Sequence, residues 1–148
     1  MSMSAASAIF GRFEIATGLR PAAVLAMSVD ELRSAGLSRQ KAAYLRDLAQ
    51  HFCDNPAIFD DLDHLDDEDI ITQLTAVKGI GVWTAQMFLI FTLVRPDVFA
   101  PDDVGLQRGI KLLYGMSAVP PKVELVALAD KWRPYRTIAS LHLWQSLK

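Results

Sequence analysis

The chain has a single cysteine, Cys53, among its 148 residues. That excludes an internal disulfide framework and any four-cysteine zinc or iron–sulfur site. Cys53 itself is expected to be a small core filler. Long apolar runs are missing too: none approaches the ~20 residues that a membrane-spanning helix needs. The first four residues, MSMS, lack the basic and apolar regions of a signal peptide. A cytosol-like reducing compartment fits these absences, and a membrane partner does not. The chain also lacks a basic excess, with a net charge of −2. Yet eight of its seventeen acidic residues fall in residues 54–69 (DNPAIFDDLDHLDDED), which contain no lysine or arginine. The remainder carries fifteen basic and nine acidic residues, a balance of +6. An acidic edge can coexist with a basic face, so phosphate binding stays open.

Apolar residues make up 51% and charged residues 22%, the composition of a globular chain. The length predicts one domain, residues 1–148. No segment alternates with a period of two, so the fold is expected to be all-α, with about eight helices. A helix over residues 5–17 should end at Gly18, and Pro21 should open a short helix through Met27. Ser28 and Glu31 form a capping-box pattern for a helix that stops at Gly36. Ser38 caps an amphipathic helix whose stripe is Ala42, Ala43, Leu45, Leu48, Ala49 and Phe52. Asn55 and Pro56 end it, and the acidic segment after them reads mostly as loop. Asp66 or Asp67 starts a helix with Ile70, Ile71, Leu74 and Val77 on its apolar side. A strongly apolar helix from Val82 to about Val94 should be the most buried one. A loop over residues 96–101 leads to a helix that Asp102 or Asp103 caps, ending at Tyr114 and Gly115. Pro120 and Pro121 should open a helix through Trp132, and Pro134 the last one.

The chemistry concentrates in residues 74–108, LTAVKGIGVWTAQMFLIFTLVRPDVFAPDDVGLQR. Gly79, Ile80 and Gly81 join two helical patterns. Such a turn exposes backbone N–H groups at the second helix's start, where the dipole favours an anion and glycines allow close approach. Lys78 adds a charge. Any tight helix–helix connection can also need glycine. One of the paired aspartates should cap its helix, which keeps it ionised. Trp83 and Trp144 read either as core or as π-faces for a base.

Taken together, the pattern resembles the helix-hairpin-helix/Gly-Pro-Asp superfamily of base-excision DNA glycosylases, most closely its DNA-3-methyladenine glycosylase II branch. The residues that carry the resemblance are L-x4-Gly-Ile-Gly-x-Trp-Thr-Ala, then D-V-F-x-P-x-Asp-x4-Arg, with AGLSRQKAAYLRDLA, KWRPYRTIAS and LHLW in order. It implies a helical bundle and a monofunctional enzyme that releases alkylated purines from double-stranded DNA, without a cofactor or catalytic metal. The family's catalytic aspartate lies five residues before an arginine; counting back from Arg108 selects Asp103. The implied DNA-anchoring residues are Lys78, Gly79, Ile80, Gly81, Val82 and Thr84, acting mainly through backbone N–H groups. A monovalent cation on the carbonyls near Val77 and Gly79 is implied as a structural ion. Trp83, Met87 and Trp144 match the base pocket. Trp83 occupies the position of the lysine that strand-cutting members use, so no Schiff base is expected there. A non-catalytic DNA-binding module, or a helical interaction protein without DNA affinity, are the alternatives.

Family members usually carry residues before this point, including an apolar wedge that fills the gap of a flipped base. The chain is therefore expected to be shortened at its N-terminus, with apolar surface near Ile9, Phe10 and Phe13 exposed or paired with a second copy. The expected location is the bacterial cytoplasm, at the nucleoid, or a nucleus.

Overall fold

The computed structural model describes residues 1–148. It contains ten α-helices, one 3₁₀ turn and no strand, two helices more than expected. The chain gathers into two compact units, residues 1–66 with 72–80, and residues 67–71 with 81–148.

The first unit holds α1 (Met3–Thr17), α2 (Pro21–Ala26), α3 (Val29–Arg33), α4 (Arg39–Asp54), α5 (Pro56–Phe59) and a 3₁₀ turn (Leu62–His64). Local chemistry sets most of these boundaries. Gly18 takes the left-handed conformation (φ 59°) and its N–H donates to Glu14 O, which closes α1. Ser28 and Glu31 form the complete capping box of α3. Ser38 accepts the Lys41 N–H at the start of α4. The core is Val24, Leu32, Ala42 and Ala49, with Phe13 and Leu25 packed against it. α1 buries only Thr17. Phe10 and Ile15 are exposed, while Ile9, Phe10 and Phe13 help to line a groove of about 410 Å³.

Two expectations fail here. The acidic segment is not mostly loop, because Phe59 and Leu62 are buried and draw it into α5 and the 3₁₀ turn. Phe59 packs on Phe52 with ring centroids 4.6 Å apart. Cys53 is exposed rather than a core filler; it lies in the last turn of α4, beyond Ala49, the last residue of that helix in the core.

α6 (Asp67–Thr75) begins in the second unit and ends in the first. α7 (Val82–Phe91), α8 (Val104–Leu113), α9 (Lys122–Asp130) and α10 (Arg136–Gln145) complete the second unit. α7 ends three residues short of the expected Val94. The Leu93 and Arg95 N–H groups fold back onto the Phe88 and Leu89 carbonyls, at 3.1 and 2.9 Å. The burial of α7 equals that of α8 and α10 rather than exceeding it, with three of ten residues buried in each: Ala85, Leu89 and Ile90 face inward, but Val82, Trp83 and Phe91 are exposed. The unit's core is Phe99, Ala100, Leu106, Ile110, Leu125, Ala129 and Leu143. Gly109 allows α8 and α10 to approach, since a Cβ there would lie 3.2 Å from Leu143 Cβ.

The loop before α8 is fastened to the start of α10. Thr137 Oγ1 donates to Arg95 O (2.6 Å) and accepts the Val98 N–H (2.9 Å). Arg136 Nε donates to Asp97 Oδ1 (2.8 Å), and this guanidinium holds the Asp97 carboxyl below its ordinary value. The Arg136 N–H also donates to Asp97 Oδ1 (3.2 Å). This remote cap explains why α10 starts at Arg136 and not at Pro134. Thr137→Val keeps the side chain's shape but leaves the buried Val98 N–H without the Thr137 acceptor. It should lower the unfolding free energy by about 1–3 kcal/mol, measured by urea denaturation.

Candidate active site

Asp103 is the N-cap of α8. Its extended backbone (φ −74°, ψ 118°) turns the side chain back so that Oδ1 accepts the Leu106 N–H at 2.8 Å. Asp102, its neighbour, is exposed and pairs with Lys122 Nζ at 2.7 Å. The fold thus separates two aspartates that local sequence leaves equivalent: one is buried and the other solvated.

Both oxygens of Asp103 receive an indole N–H. Trp144 Nε1, from α10, donates to Oδ1 at 2.9 Å. Trp83 Nε1, from the first turn of α7, donates to Oδ2 at 2.9 Å. Only 9% of Asp103 is exposed. Burial by itself raises its pKa; the hydrogen bonds from Trp144, Trp83 and the Leu106 and Gly105 backbones outweigh that and hold it below the ordinary carboxylate value. The site therefore offers a fixed negative charge in a mostly apolar setting. Trp83 is about half exposed, and Met87 packs with Trp144 against the unit's core. The structure thus brings Trp83 and Trp144 each into direct contact with Asp103, and puts Met87 against the core that Trp144 packs on.

Local patterns did not mark two further residues here. A Cβ on Gly105 would lie 3.0 Å from Trp144 Cδ1 and 3.1 Å from Asp103 Oδ1, so the indole reaches the carboxylate only over a glycine. A glycine in the first turn of a helix, where it is a poor helix former, was the available signal. Phe91 stacks on Trp144, with centroids 5.7 Å apart and planes inclined by 26°. No local pattern announces that pair.

At the other end of α7 lies the glycine turn. Gly79 has φ 87°, and the Ile80 N–H donates to Val77 O at 3.2 Å. The Lys78 N–H donates to Asp47 Oδ2 at 2.8 Å, and Lys78 and Thr84 are exposed. Gly81 is the N-cap of α7, and no side chain caps the N–H groups that follow it. A Cβ on Gly81 would meet nothing within 4 Å, and its φ of −93° does not demand glycine. Neither its own backbone nor a protein neighbour requires glycine there.

Residues 1–134 match the HhH-GPD superfamily of base excision DNA repair proteins. The chain belongs to this family. DNA-3-methyladenine glycosylase 1 of Schizosaccharomyces pombe is 32% identical over 97% of the chain. Among solved structures, the family fold of DNA-3-methyladenine glycosidase from Bacillus halodurans superposes with a TM-score of 0.88 at 42% identity, covering 99% of this chain and 69% of that one. The S. pombe 3-methyladenine DNA glycosylase in complex with abasic DNA gives 0.82 at 31% identity, covering 98% and 73%. The chain spans 65% of the length of the S. pombe relative and 45% of that of a Bacillus subtilis relative to which it is 35% identical.

Trp144→Phe removes one donor from Asp103 and keeps a ring. It should raise the Asp103 pKa towards the ordinary value, as should Trp83→Phe, read by NMR titration of the carboxyl carbon. An unfolded aspartate titrates near ~3.9, above folded Asp103, so the carboxylate stabilises the fold above that pH. This contribution is lost as pH falls from the unfolded to the folded value; in the Phe variants it should be smaller, and its loss complete at a higher pH.

Proposed function

We propose that the chain performs the chemistry of a monofunctional alkylated-base DNA glycosylase. It would hydrolyse the N-glycosidic bond of 3-methyladenine- or 7-methylguanine-type purines in duplex DNA. The observation that carries this reading is Asp103, buried and kept ionised by two indole N–H donors, in a family of base excision repair. The names of the relatives point to the same substrate class.

Alkylation at N3 or N7 makes the purine cationic, so it departs with the bonding electron pair and needs no proton from a general acid. Positive charge then grows on the sugar. A carboxylate fixed in an apolar site stabilises that charge more strongly than one in water. Water oxygen bonds to C1′, and its proton passes to Asp103 or to solvent. Trp83, Met87 and Trp144 form the pocket for the extruded base, whose positive charge favours the aromatic faces. Lys78, Gly79, Ile80, Gly81, Val82 and Thr84 hold the DNA backbone, and the uncapped start of α7 and the open space over Gly81 support this role. The Val77 carbonyl accepts one N–H and keeps a second lone pair. With the Gly79 carbonyl it is the neutral oxygen set that suits a monovalent cation, which would add positive charge near the phosphate. Trp83 offers no amine, and its nitrogen is committed to Asp103. Such an enzyme works where DNA is kept, in a bacterial cytoplasm or a nucleus.

The test is release of free base from a methylated duplex. The wild-type chain should release 3-methyladenine or 7-methylguanine and leave the strand intact until alkali is added. Borohydride should trap no covalent complex. Asp103→Asn should slow release about a hundredfold or more while DNA affinity is retained. Near-normal turnover of that variant would sink the assignment of Asp103. Salt-dependent binding without release by wild type would identify a non-catalytic module instead.

A further inference from the structure

Within the first unit, the glycine turn is backed by a polar stripe on α4. Gln40, Tyr44, Asp47 and His51 recur at helical spacing on the side of α4 away from Ala42 and Ala49. Each member holds the next contact in place. Gln40 Nε2 donates to the Tyr44 hydroxyl at 2.6 Å. The Tyr44 ring lies where a side chain on Gly79 would have to go. Asp47 Oδ2 accepts the Lys78 N–H, and His51 Nε2 lies 3.6 Å from the same oxygen. Arg46, next in sequence, does not neutralise Asp47; its guanidinium donates to the Leu25 and Met27 carbonyls.

A carboxylate beside a turn meant for phosphate is electrostatically adverse, since it repels the very group the turn receives. Its geometry gives it a different use. The Lys78 N–H is tied down by Asp47 and the Ile80 N–H by Val77 O. These two bonds fix the Val77–Lys78 and Gly79–Ile80 peptide planes, and so bracket Gly79, a residue whose own backbone is free to take many conformations. The order imposed on the turn before DNA arrives reduces the entropy that binding must overcome.

We propose that Asp47 is a positioning residue for DNA binding, which preorganises the glycine turn by accepting the Lys78 N–H. The proposal rests on the DNA-holding role given to that turn above. It makes a prediction opposite in sign to simple electrostatics. If Asp47 acts only as a charge, removing it tightens DNA binding. If it acts as an acceptor, Asp47→Ala weakens binding about tenfold, whereas Asp47→Asn, which keeps an acceptor oxygen, binds at least as well as wild type.

Affinity for an abasic-site duplex is measured by fluorescence anisotropy over a salt series, and base release is followed in single turnovers at saturating methylated DNA. Hydrogen exchange at the Lys78 amide reads the bond without DNA. The expected result is a faster-exchanging Lys78 amide and about tenfold weaker binding in Asp47→Ala, with an unchanged maximal release rate and an intact cooperative melt, and rescue of both defects in Asp47→Asn. Tighter or unchanged binding by Asp47→Ala, or equal loss in both variants, overturns the proposal. If wild type itself fails to bind duplex DNA, the DNA-holding reading falls and takes the proposal with it, an outcome recognisable without any variant.

Discussion

A carboxylate taken out of water must be given hydrogen-bond donors, or it takes a proton and loses its charge. Much of the second unit answers this constraint at Asp103. α8 supplies the Leu106 N–H, α7 the Trp83 indole and α10 the Trp144 indole. Three helices therefore have to meet with ångström accuracy. Two glycines make room for them: Gly109 lets α10 approach α8, and Gly105 lets the Trp144 indole pass over the first turn. Thr137 and the Arg136–Asp97 pair then lock the preceding loop to the start of the helix that carries Trp144.

Using tryptophan as the donor has a chemical consequence. An indole N–H donates at its edge and never takes a charge, so it sustains the carboxylate without supplying a countercharge as an arginine would. The field of Asp103 stays directed at its surroundings instead of being cancelled. The same rings keep π-faces for other use, and Phe91 already occupies one side of Trp144. None of the partners of Asp103 can protonate a departing base. In the proposed reaction, a neutral purine would thus leave poorly, and selectivity for cationic, alkylated bases follows from the leaving group as much as from the shape of the pocket.

Features fixed by neighbours in sequence were readable from it. The left-handed Gly18, the Ser28–Glu31 box and the Ser38 cap all stand where residue chemistry puts them. The choice of Asp103 over Asp102 came from spacing to Arg108 within a family pattern; in the structure Asp103 is the buried one of the two. Features made by distant partners were not readable. The start of α10 depends on Asp97, thirty-nine positions earlier. The acidic segment folds because Phe59 and Leu62 find a core, which its charge pattern conceals. The Phe91–Trp144 stack and the closeness of Gly105 to Trp144 exist only once α7, α8 and α10 are packed.

α7 joins the two features that chemistry requires. It begins at Gly81, the end of the glycine turn, and its second residue is Trp83, whose N–H is fixed on Asp103. The proposed phosphate anchor and a donor to the carboxylate are thus held by one short covalent stretch, with only Val82 between them. The Gly81 carbonyl accepts the Ala85 N–H at 3.1 Å, so the last residue of the turn already belongs to the hydrogen-bonded helix that carries Trp83. Preorganisation at the turn and charge at Asp103 are two demands on one helix, and that accounts for a half-exposed tryptophan at a position where solvent alone would favour a polar residue.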